Sequence, residues 1–244
     1  MTGTVAPTVR TLKDGRALEI SLATRADIEA IAQAHPLPRT PAISGRHLVA
    51  YYAVKTWLYV TTEEAGVMVG RIEGELAGFV FFYGSLSSLR RRARSLSTAR
   101  WTIGRLLTGR LGGPRLWIGY AQWARQHFQS GAHYRAAAAS QGQGPVAEIN
   151  AEIGTTHTLG RFRRLGVASA LLEATESLLR ERAAPEVVLW VAEQNAPALE
   201  LYGKRGYARM ALVDRIGERC WLMAKKLDAA RTDHIGPLGA DCAC

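Results

Sequence analysis

Residues 161–169, with the sequence RFRRLGVAS, combine three arginines with one glycine. This turn lies between residues 146–159, which alternate like a strand, and residues 167–182, which have a helical period. The unpaired N–H groups and the positive dipole end of a helix start bind phosphate oxygens, and Arg163 and Arg164 add positive charge. The pattern predicts a pyrophosphate site, although a turn of this composition also occurs without any ligand.

Further along the chain, a second motif follows the turn in a fixed order. The motifs are Arg163-x-x-Gly166-x-Ala168, of the form R/Q-x-x-G-x-G/A, then Asn195-x-x-Ala198-x-x-Leu201-Tyr202, and then Gly206-Tyr207. In this order and on these elements, they resemble the GNAT superfamily of acetyl-CoA-dependent N-acetyltransferases. The resemblance covers about residues 18–227 with a long insert set aside, and it includes the strand-to-helix join at 23–27 and the hairpin at 74–79.

The resemblance implies acetyl-CoA as co-substrate. Backbone groups of Thr156, His157 and Thr158 would pair with the pantetheine arm, and Asn195 would either contact the cofactor or only cap its helix. The pyrophosphate would be held by the turn residues Arg163, Arg164, Leu165, Gly166, Val167, Ala168 and Ser169. The departures from the family pattern are Ala168, where a second glycine is commoner, and Thr158, where an apolar residue is usual.

Tyr202 matches the family tyrosine that lies near the thioester sulfur, so the resemblance implies that it protonates the departing thiolate. The alternative is a tyrosine of the core, because Ala198, Leu201 and Tyr202 share one face of a helix.

Glu152 is the candidate base, because an amine that arrives protonated must lose a proton before its nitrogen can attack a carbonyl. The segment Ala151-Glu152-Ile153 resembles the catalytic strand of protein-lysine acetyltransferases in this superfamily. The alternation of its strand places Glu152 on the wet face, where it could also be only a solvated carboxylate. Glu148, His157 and a chain of waters are competing routes for the proton. The backbone N–H near Thr156 would serve as oxyanion donor.

Hydrophobic patterning predicts the elements that must position these residues. We expect an α/β fold, one GNAT-like domain in which a central mixed, twisted sheet is flanked by helices, with a basic helical insert between strands 3 and 4. The domain would span residues 17–227, between a flexible segment at 1–16 and a flexible tail at 228–244. The expected strands are 18–22, 59–62, 67–72, 75–83, 146–159, 187–192, 207–213 and 219–227. The pattern also predicts four helices: one that begins with a capping box at 24–27, a short one at 47–57, and two that follow residues 167 and 195.

The insert at residues 85–145 carries the net charge of +10, because it holds ten of the 31 basic side chains and no Asp, Glu or Lys. The rest of the chain balances 21 basic with 21 acidic residues. The insert also holds three of the six tryptophans, Trp101, Trp117 and Trp123. Such a segment could be a lid that attracts an acidic substrate, a surface that docks on an anionic membrane or a partner protein, a nucleic-acid site, for which it is short, or a solvated elaboration.

Three cysteines cannot build a disulfide framework or a zinc quartet, so we expect no metal. No apolar stretch approaches twenty residues, and the expected location is the cytoplasm or the periphery of a membrane. The predicted activity is acetyl transfer to a primary amine, on a peptide, a protein or a small molecule, by direct attack in a ternary complex. The alternative is an acyl-CoA-binding module without catalysis, whose insert docks on a membrane, nucleic acid or a partner. Neither the acceptor nor the oligomeric state follows from the sequence.

Overall fold

A computed structural model describes residues 6–35, 45–107, 151–215 and 218–227. The strands are β1 (Thr8–Thr11), β2 (Ala17–Leu22), β3 (Ala65–Ile72), β4 (Glu75–Tyr83), β5 (Glu152–Thr158), β6 (Glu186–Ala192), β7 (Ala208–Arg215) and β8 (Glu218–Lys226). The helices are α1 (Ile28–Ala34), α2 (Gly45–Val60), α3 (Leu86–Ala93), α4 (Leu96–Leu107), α5 (Val167–Glu181) and α6 (Ala196–Lys204). Short 3₁₀ turns at Arg25–Asp27 and Gly160–Phe162 precede α1 and α5.

The strands form one mixed sheet in the order β1-β2-β3-β4-β5-β6-β8-β7. Within it β5 and β6 are parallel, whereas the other neighbouring pairs are antiparallel. The crossover from β5 to β6 runs through α5, as a parallel pair requires. The expected mixed sheet with flanking helices is confirmed.

The two faces of the sheet carry separate cores, because both are covered by helices. On β4, Phe79, Phe81 and Tyr83 pack with α1 and α2, while Val80 and Phe82 pack with α5. The cluster on the second face also contains Tyr202 of α6. Burial on both faces explains why β3 and β4 are almost continuously apolar in sequence.

Local signals in the sequence placed several boundaries correctly. The capping box forms, since Thr24 accepts from Ala26 N and its own N–H donates to Asp27. Glu73 and Gly74 both have positive φ, 53° and 78°, and form the turn between β3 and β4. Gly206, with φ 85°, ends α6 in the left-handed conformation.

The expectation of a strand at 59–62 is wrong, because α2 continues to Val60 and is longer than the short helix expected at 47–57. Leu58 and Tyr59 are fully buried in the α1/α2 core. The hydroxyls of Thr56 and Thr62 donate to the carbonyls four residues earlier, on Tyr52 and Leu58. Tertiary burial therefore overrides the strand preference of these aromatic and β-branched residues.

The expectation of a flexible segment at residues 1–16 is wrong for Thr8–Thr11, which forms β1 and pairs with β2 at the edge of the sheet. All four side chains of β1 are exposed, so this strand has no buried face to mark it in the sequence. The insert consequently follows the fourth strand, not the third.

The described part of the insert is helical and packs on α2. Leu86 and Leu89 of α3 join the α1/α2 core, Arg92 donates to Thr61 Oγ1 at 3.1 Å, and Trp101 of α4 stacks on Trp57 at 5.0 Å. Residues 108–145 lie outside the described residues, as do the expected start of β5 at 146–150 and the tail at 228–244, so the insert as a whole stays a prediction. No helix in the described ranges has the length and apolar character needed to cross a bilayer.

Candidate active site

The parallel strands β5 and β6 separate after a short paired stretch. Glu152 pairs with Val188 and Ile153 with Leu189. Beyond these residues β5 continues to Thr158 and β6 to Ala192, but the two strands no longer pair with each other. A gap therefore opens in the middle of the sheet, at the carboxyl ends of two parallel strands. In open α/β sheets this is the place where ligands bind.

A β-bulge lies where β5 leaves β6. Phe82 pairs with Ile153 and Val80 with Thr156, so two residues of β5, Gly154 and Thr155, lie opposite the single Phe81 of β4. The extra residue reverses the alternation of β5. Ile153 and Thr156 consequently share the α5 face, whereas a regular strand would place them on opposite faces.

The turn between β5 and α5 has the backbone of an anion site. Arg164 and Gly166 adopt positive φ, 65° and 97°, and α5 begins at Val167 with Gly166 as its N-cap. The first-turn N–H groups of α5 have no acceptor inside their own helix. Arg163 lies beside the end of β5, with Nε 3.4 Å from the carbonyl oxygen of Thr158. The turn thus presents N–H groups, a positive helix end and two arginines next to the gap.

Two hydroxyls of β5 are buried along the gap without a partner. Among the described residues, Oγ1 of Thr156 and Oγ1 of Thr158 have no hydrogen-bond partner, although both are inaccessible to solvent. Buried polar atoms are seldom left unpaired, because desolvation without a hydrogen bond is costly. A polar chain with amide groups, such as pantetheine, laid against β5 would satisfy them, and these residues therefore fit the cofactor implied by the sequence motifs.

Tyr202 of α6 lies against this same strand. It is 6% exposed, and its phenol is close to the Thr156 hydroxyl, though without full hydrogen-bond geometry. Burial raises the pKa of Tyr202, and the Thr156 hydroxyl opposes that effect only in part. The phenol is therefore protonated at neutral pH, which is the state that a general acid needs.

Glu152 does not lie on a wet face, and this expectation is wrong. Its side chain faces the α1/α2 core and is 2% exposed, because helices cover both faces of β5. The hydroxyl of Tyr83 donates to Glu152 Oε2 at 2.5 Å. The carboxylate is a buried, hydrogen-bonded group, and it faces away from the α5 side on which Tyr202 lies.

His157 and Lys55 also lie on the face of β5 that carries Glu152. The imidazole of His157 lies 5.5 Å from the ring of Phe79, and burial, followed by the nearby charge of Arg163, lowers the pKa of His157. Lys55 of α2 is only 7% exposed, and its Nζ lies 3.0 Å from Thr155 Oγ1 and 4.5 Å from the centre of the Phe81 ring. Sequence reasoning missed Lys55, although a lysine inside the apolar run of α2 was a signal for it.

Asn195 caps α6, which is one of the two roles predicted for it; the other is a contact with the cofactor. Its side-chain oxygen accepts from Ala198 N at 3.4 Å, and a cofactor contact for Asn195 stays a prediction. Across the described ranges, no three His, Cys, Asp or Glu side chains cluster closely enough to bind a metal ion.

The structure brings together most of the predicted residues. Thr156, Thr158 and Tyr202 line the α5 side of the gap, and residues 163–169 form its mouth. Glu152 and His157 lie on the opposite side of β5, under α1 and α2. The α5 face of β5 is therefore suited to a phosphorylated cofactor, whereas its α1/α2 face carries the candidate proton acceptors.

Comparisons with known proteins bear on the family and the fold of the chain. A family model described as Acetyltransferase (GNAT) family matches residues 31–207. The chain is similar to an N-alpha-acetyltransferase of Sulfurisphaera tokodaii, with 38% identity over 73 residues, which is 28% of this chain and 44% of the relative. The match thus spans less than half the length of that curated protein.

Two solved structures resemble the fold. An uncharacterized protein from Bacillus halodurans matches with a TM-score of 0.52 and 13% identity over 93% of both chains. The GNAT domain of S. lividans PAT matches with a TM-score of 0.51 and 15% identity over 91% of this chain and 97% of that one. At these identities the likeness concerns the fold alone, and it confirms the fold class that the sequence predicts.

Proposed function

The chain belongs to the acetyltransferase (GNAT) family, and from that premise we propose that it transfers an acetyl group from acetyl-CoA to a primary amine. The gap between β5 and β6, flanked by the start of α5 and by Tyr202, is the observation that carries this proposal. Acetyl-CoA supplies an activated acetyl thioester and, in its pyrophosphate, the anion that such a helix start binds.

The residues around the gap support direct transfer from the thioester to the amine. The turn at 163–169 would hold the pyrophosphate, and the hydroxyls of Thr156 and Thr158 would bond the pantetheine arm. A backbone N–H near Thr156 would donate to the carbonyl oxygen of the acetyl group as negative charge develops there. No acyl-enzyme step is required.

Two proton transfers complete the proposed reaction. Glu152 accepts the proton that the amine loses, and it does so through water, because its buried carboxylate lies under α2. Tyr202 gives its phenolic proton to the sulfur as the carbon–sulfur bond breaks. His157, whose lowered pKa keeps it neutral at pH 7, is the competing proton acceptor on the same side.

For the acceptor, we propose the α-amine of a peptide or protein first. The similar protein of Sulfurisphaera tokodaii is named an N-alpha-acetyltransferase, which supports this class. Lysine side chains and small-molecule amines are the next classes to compare. An acidic acceptor would suit the basic insert, whose arginines Arg90, Arg91 and Arg92 lie on α3 beside α2.

Two measurements on the purified protein test the proposal. Thermal unfolding with acetyl-CoA, compared with NADH and ATP, should show a shift for acetyl-CoA alone, since a ligand at about 100 times its Kd adds roughly 2.7 kcal/mol of stability. Release of free thiol is then followed with three acceptors: a peptide with a free N-terminus, an N-terminally blocked peptide with one lysine, and an amino sugar.

Thiol release with the free N-terminal peptide above the rate without acceptor would support the proposal and its acceptor class. A melting shift without thiol release from any amine would favour the alternative, an acyl-CoA-binding module whose insert docks on a partner. The absence of a shift with acetyl-CoA would overturn the cofactor site at 163–169.

A further inference from the structure

A buried tyrosine and a buried glutamate form a hydrogen-bonded pair between β4 and β5. Tyr83 is 0% exposed and Glu152 is 2% exposed, and they are register partners on neighbouring antiparallel strands. The distance from Tyr83 Oη to Glu152 Oε2 is 2.5 Å, at the short end for a hydroxyl donating to an ionised carboxylate.

An ionised carboxylate needs such a donor at this depth. Burial favours the neutral form of a carboxyl group, whereas a hydrogen bond donated to the charged form opposes that effect. A buried glutamate without a donor would hold its own proton at neutral pH and could not take one from an amine.

Other side chains lie on the same face of β5 as Glu152 and Tyr83. Lys55 of α2 donates to Thr155 Oγ1, and the ring of Tyr59 on α2 lies 6.4 Å from the ring of Tyr83. His157 follows on β5 beside Phe79, and Val188 of β6 is the register partner of Glu152. The Tyr83 hydroxyl donates directly to the Glu152 carboxylate.

We propose that Tyr83 is a positioning residue for Glu152: its hydroxyl holds the buried carboxylate ionised and in one orientation, ready to take the proton of the acceptor amine. This inference rests on the proposed acetyl transfer and names a residue on which that reaction depends.

The proton inventory of the step balances. The protonated amine first gives one proton through a water to Glu152 Oε1 or Oε2, and its neutral nitrogen then bonds to the acetyl carbon. As the carbon–sulfur bond breaks, the thiolate takes the phenolic proton of Tyr202, and the second proton of the nitrogen replaces it through solvent. Tyr83 keeps its own proton throughout, since its O–H only donates a hydrogen bond. Glu152 then returns the proton to solvent before the next turnover.

The first test measures the carboxyl group directly and needs no acceptor. Protein labelled with ¹³C at the glutamate carboxyl carbon is titrated by NMR, and Glu152→Gln identifies the signal of Glu152. In the wild type Glu152 should be ionised at pH 7, and in Tyr83→Phe its titration midpoint should rise by about 1 pH unit or more. A wild-type Glu152 that is still protonated at pH 7 would overturn the inference, whether or not Tyr83→Phe folds.

The second test is the pH profile of kcat/KM for the best amine of the thiol-release assay. The acidic limb of the profile should move to higher pH in Tyr83→Phe by the same amount as the NMR midpoint. Tyr207→Phe is the matched control, because Tyr207 is also buried and its hydroxyl donates at 3.1 Å to another buried carboxylate, Glu176. That control should lower the melting temperature without moving the acidic limb.

The outcomes separate this inference from the proposed function. Acetyl transfer by the wild type, with neither the midpoint nor the acidic limb altered in Tyr83→Phe, would overturn the role of Tyr83 alone. A wild type that transfers acetyl to none of the amines would remove the proposed function, and the role of Tyr83 in proton acceptance with it.

Discussion

Nζ of Lys55 lies 3.0 Å from Oγ1 of Thr155, and this contact joins α2 to the bulged segment of β5. Thr155 is one of the two residues that lie opposite Phe81, at the point where β5 leaves β6. A charged group bonded there fixes the position of the strand that lines the gap. The bond also sets a positive charge on the side of β5 that carries Glu152 and His157.

Lys55 and Thr155 should show energetic coupling in a double-mutant cycle. Lys55→Met keeps the length of the buried chain, and Thr155→Val keeps the shape of the threonine. A buried hydrogen bond to a charged group predicts a coupling free energy of about 1.5 kcal/mol or more in urea unfolding. Additive effects of the two substitutions would show that the contact contributes no stability.

Tyr202→Phe should separate catalysis from cofactor binding. Removal of the phenolic oxygen should lower kcat by about 100-fold, the lower range for loss of general acid catalysis. The ring remains in its buried position beside Tyr207, with the two ring centres 5.6 Å apart, so acetyl-CoA affinity should stay within about threefold in calorimetry. An unchanged kcat would exclude Tyr202 as the proton donor.

Gly78→Ala should disturb the gap itself. A Cβ at Gly78 would lie 2.7 Å from the carbonyl oxygen of His157 and 3.2 Å from the side chains of Leu171 and Val167. Since β5 or α5 must move, we expect a loss of about 1 to 3 kcal/mol in unfolding free energy together with weaker acetyl-CoA binding.

Gly104→Ala on α4 is the matched control for Gly78→Ala, because an added Cβ there meets no atom of the described residues within 4 Å. This helical substitution should leave acetyl-CoA binding unchanged and should not reduce stability. Normal acetyl-CoA binding by Gly78→Ala would contradict the assignment of this part of β5 to the cofactor.

Glu176→Gln should destabilise the fold in a pH-dependent way. Arg205, Tyr207 and Lys225 all donate to Glu176, at distances of 2.6 to 3.1 Å. Burial raises the pKa of Glu176, but the hydrogen bonds and charges of Arg205 and Lys225 together outweigh this effect. The pKa of Glu176 therefore lies below its ordinary value of 4.5. A carboxyl group with a lowered pKa stabilises the fold above its unfolded pKa, and this contribution is lost as the pH falls through the folded value.

The difference between wild type and Glu176→Gln should therefore be about 3 kcal/mol at pH 7 and should shrink below about pH 4.5, as urea unfolding at several pH values will show. Glu200→Gln is the control, because Glu200 forms an exposed pair with Lys204 within α6. Its melting temperature should match that of the wild type. A pH-independent difference for Glu176→Gln would show that the lost charge is not the cause.

Much of the fold followed from local patterns in the sequence. The capping box at Thr24, the turn at Glu73 and Gly74 and the left-handed Gly206 are short-range signals, and each forms as predicted. The turn at 163–169 and the cap at Asn195 were also visible, because helix starts and ends depend on neighbouring residues. The motif that contains Tyr202 placed it on α6, at the side of the sheet where the cofactor motif lies.

Tertiary structure alone determined which face of the sheet each β5 side chain occupies. The bulge at Gly154 and Thr155 arises from pairing with β4, and nothing in the alternation of residues 151–158 marks it. The sequence pattern predicts a solvent-facing Glu152, but helices cover both faces of β5. Glu152 is therefore buried, and it bonds to Tyr83, 69 positions away in the chain. A one-dimensional pattern reports whether a residue is polar, but the packing of distant elements determines what surrounds it, and that surrounding sets where its proton resides.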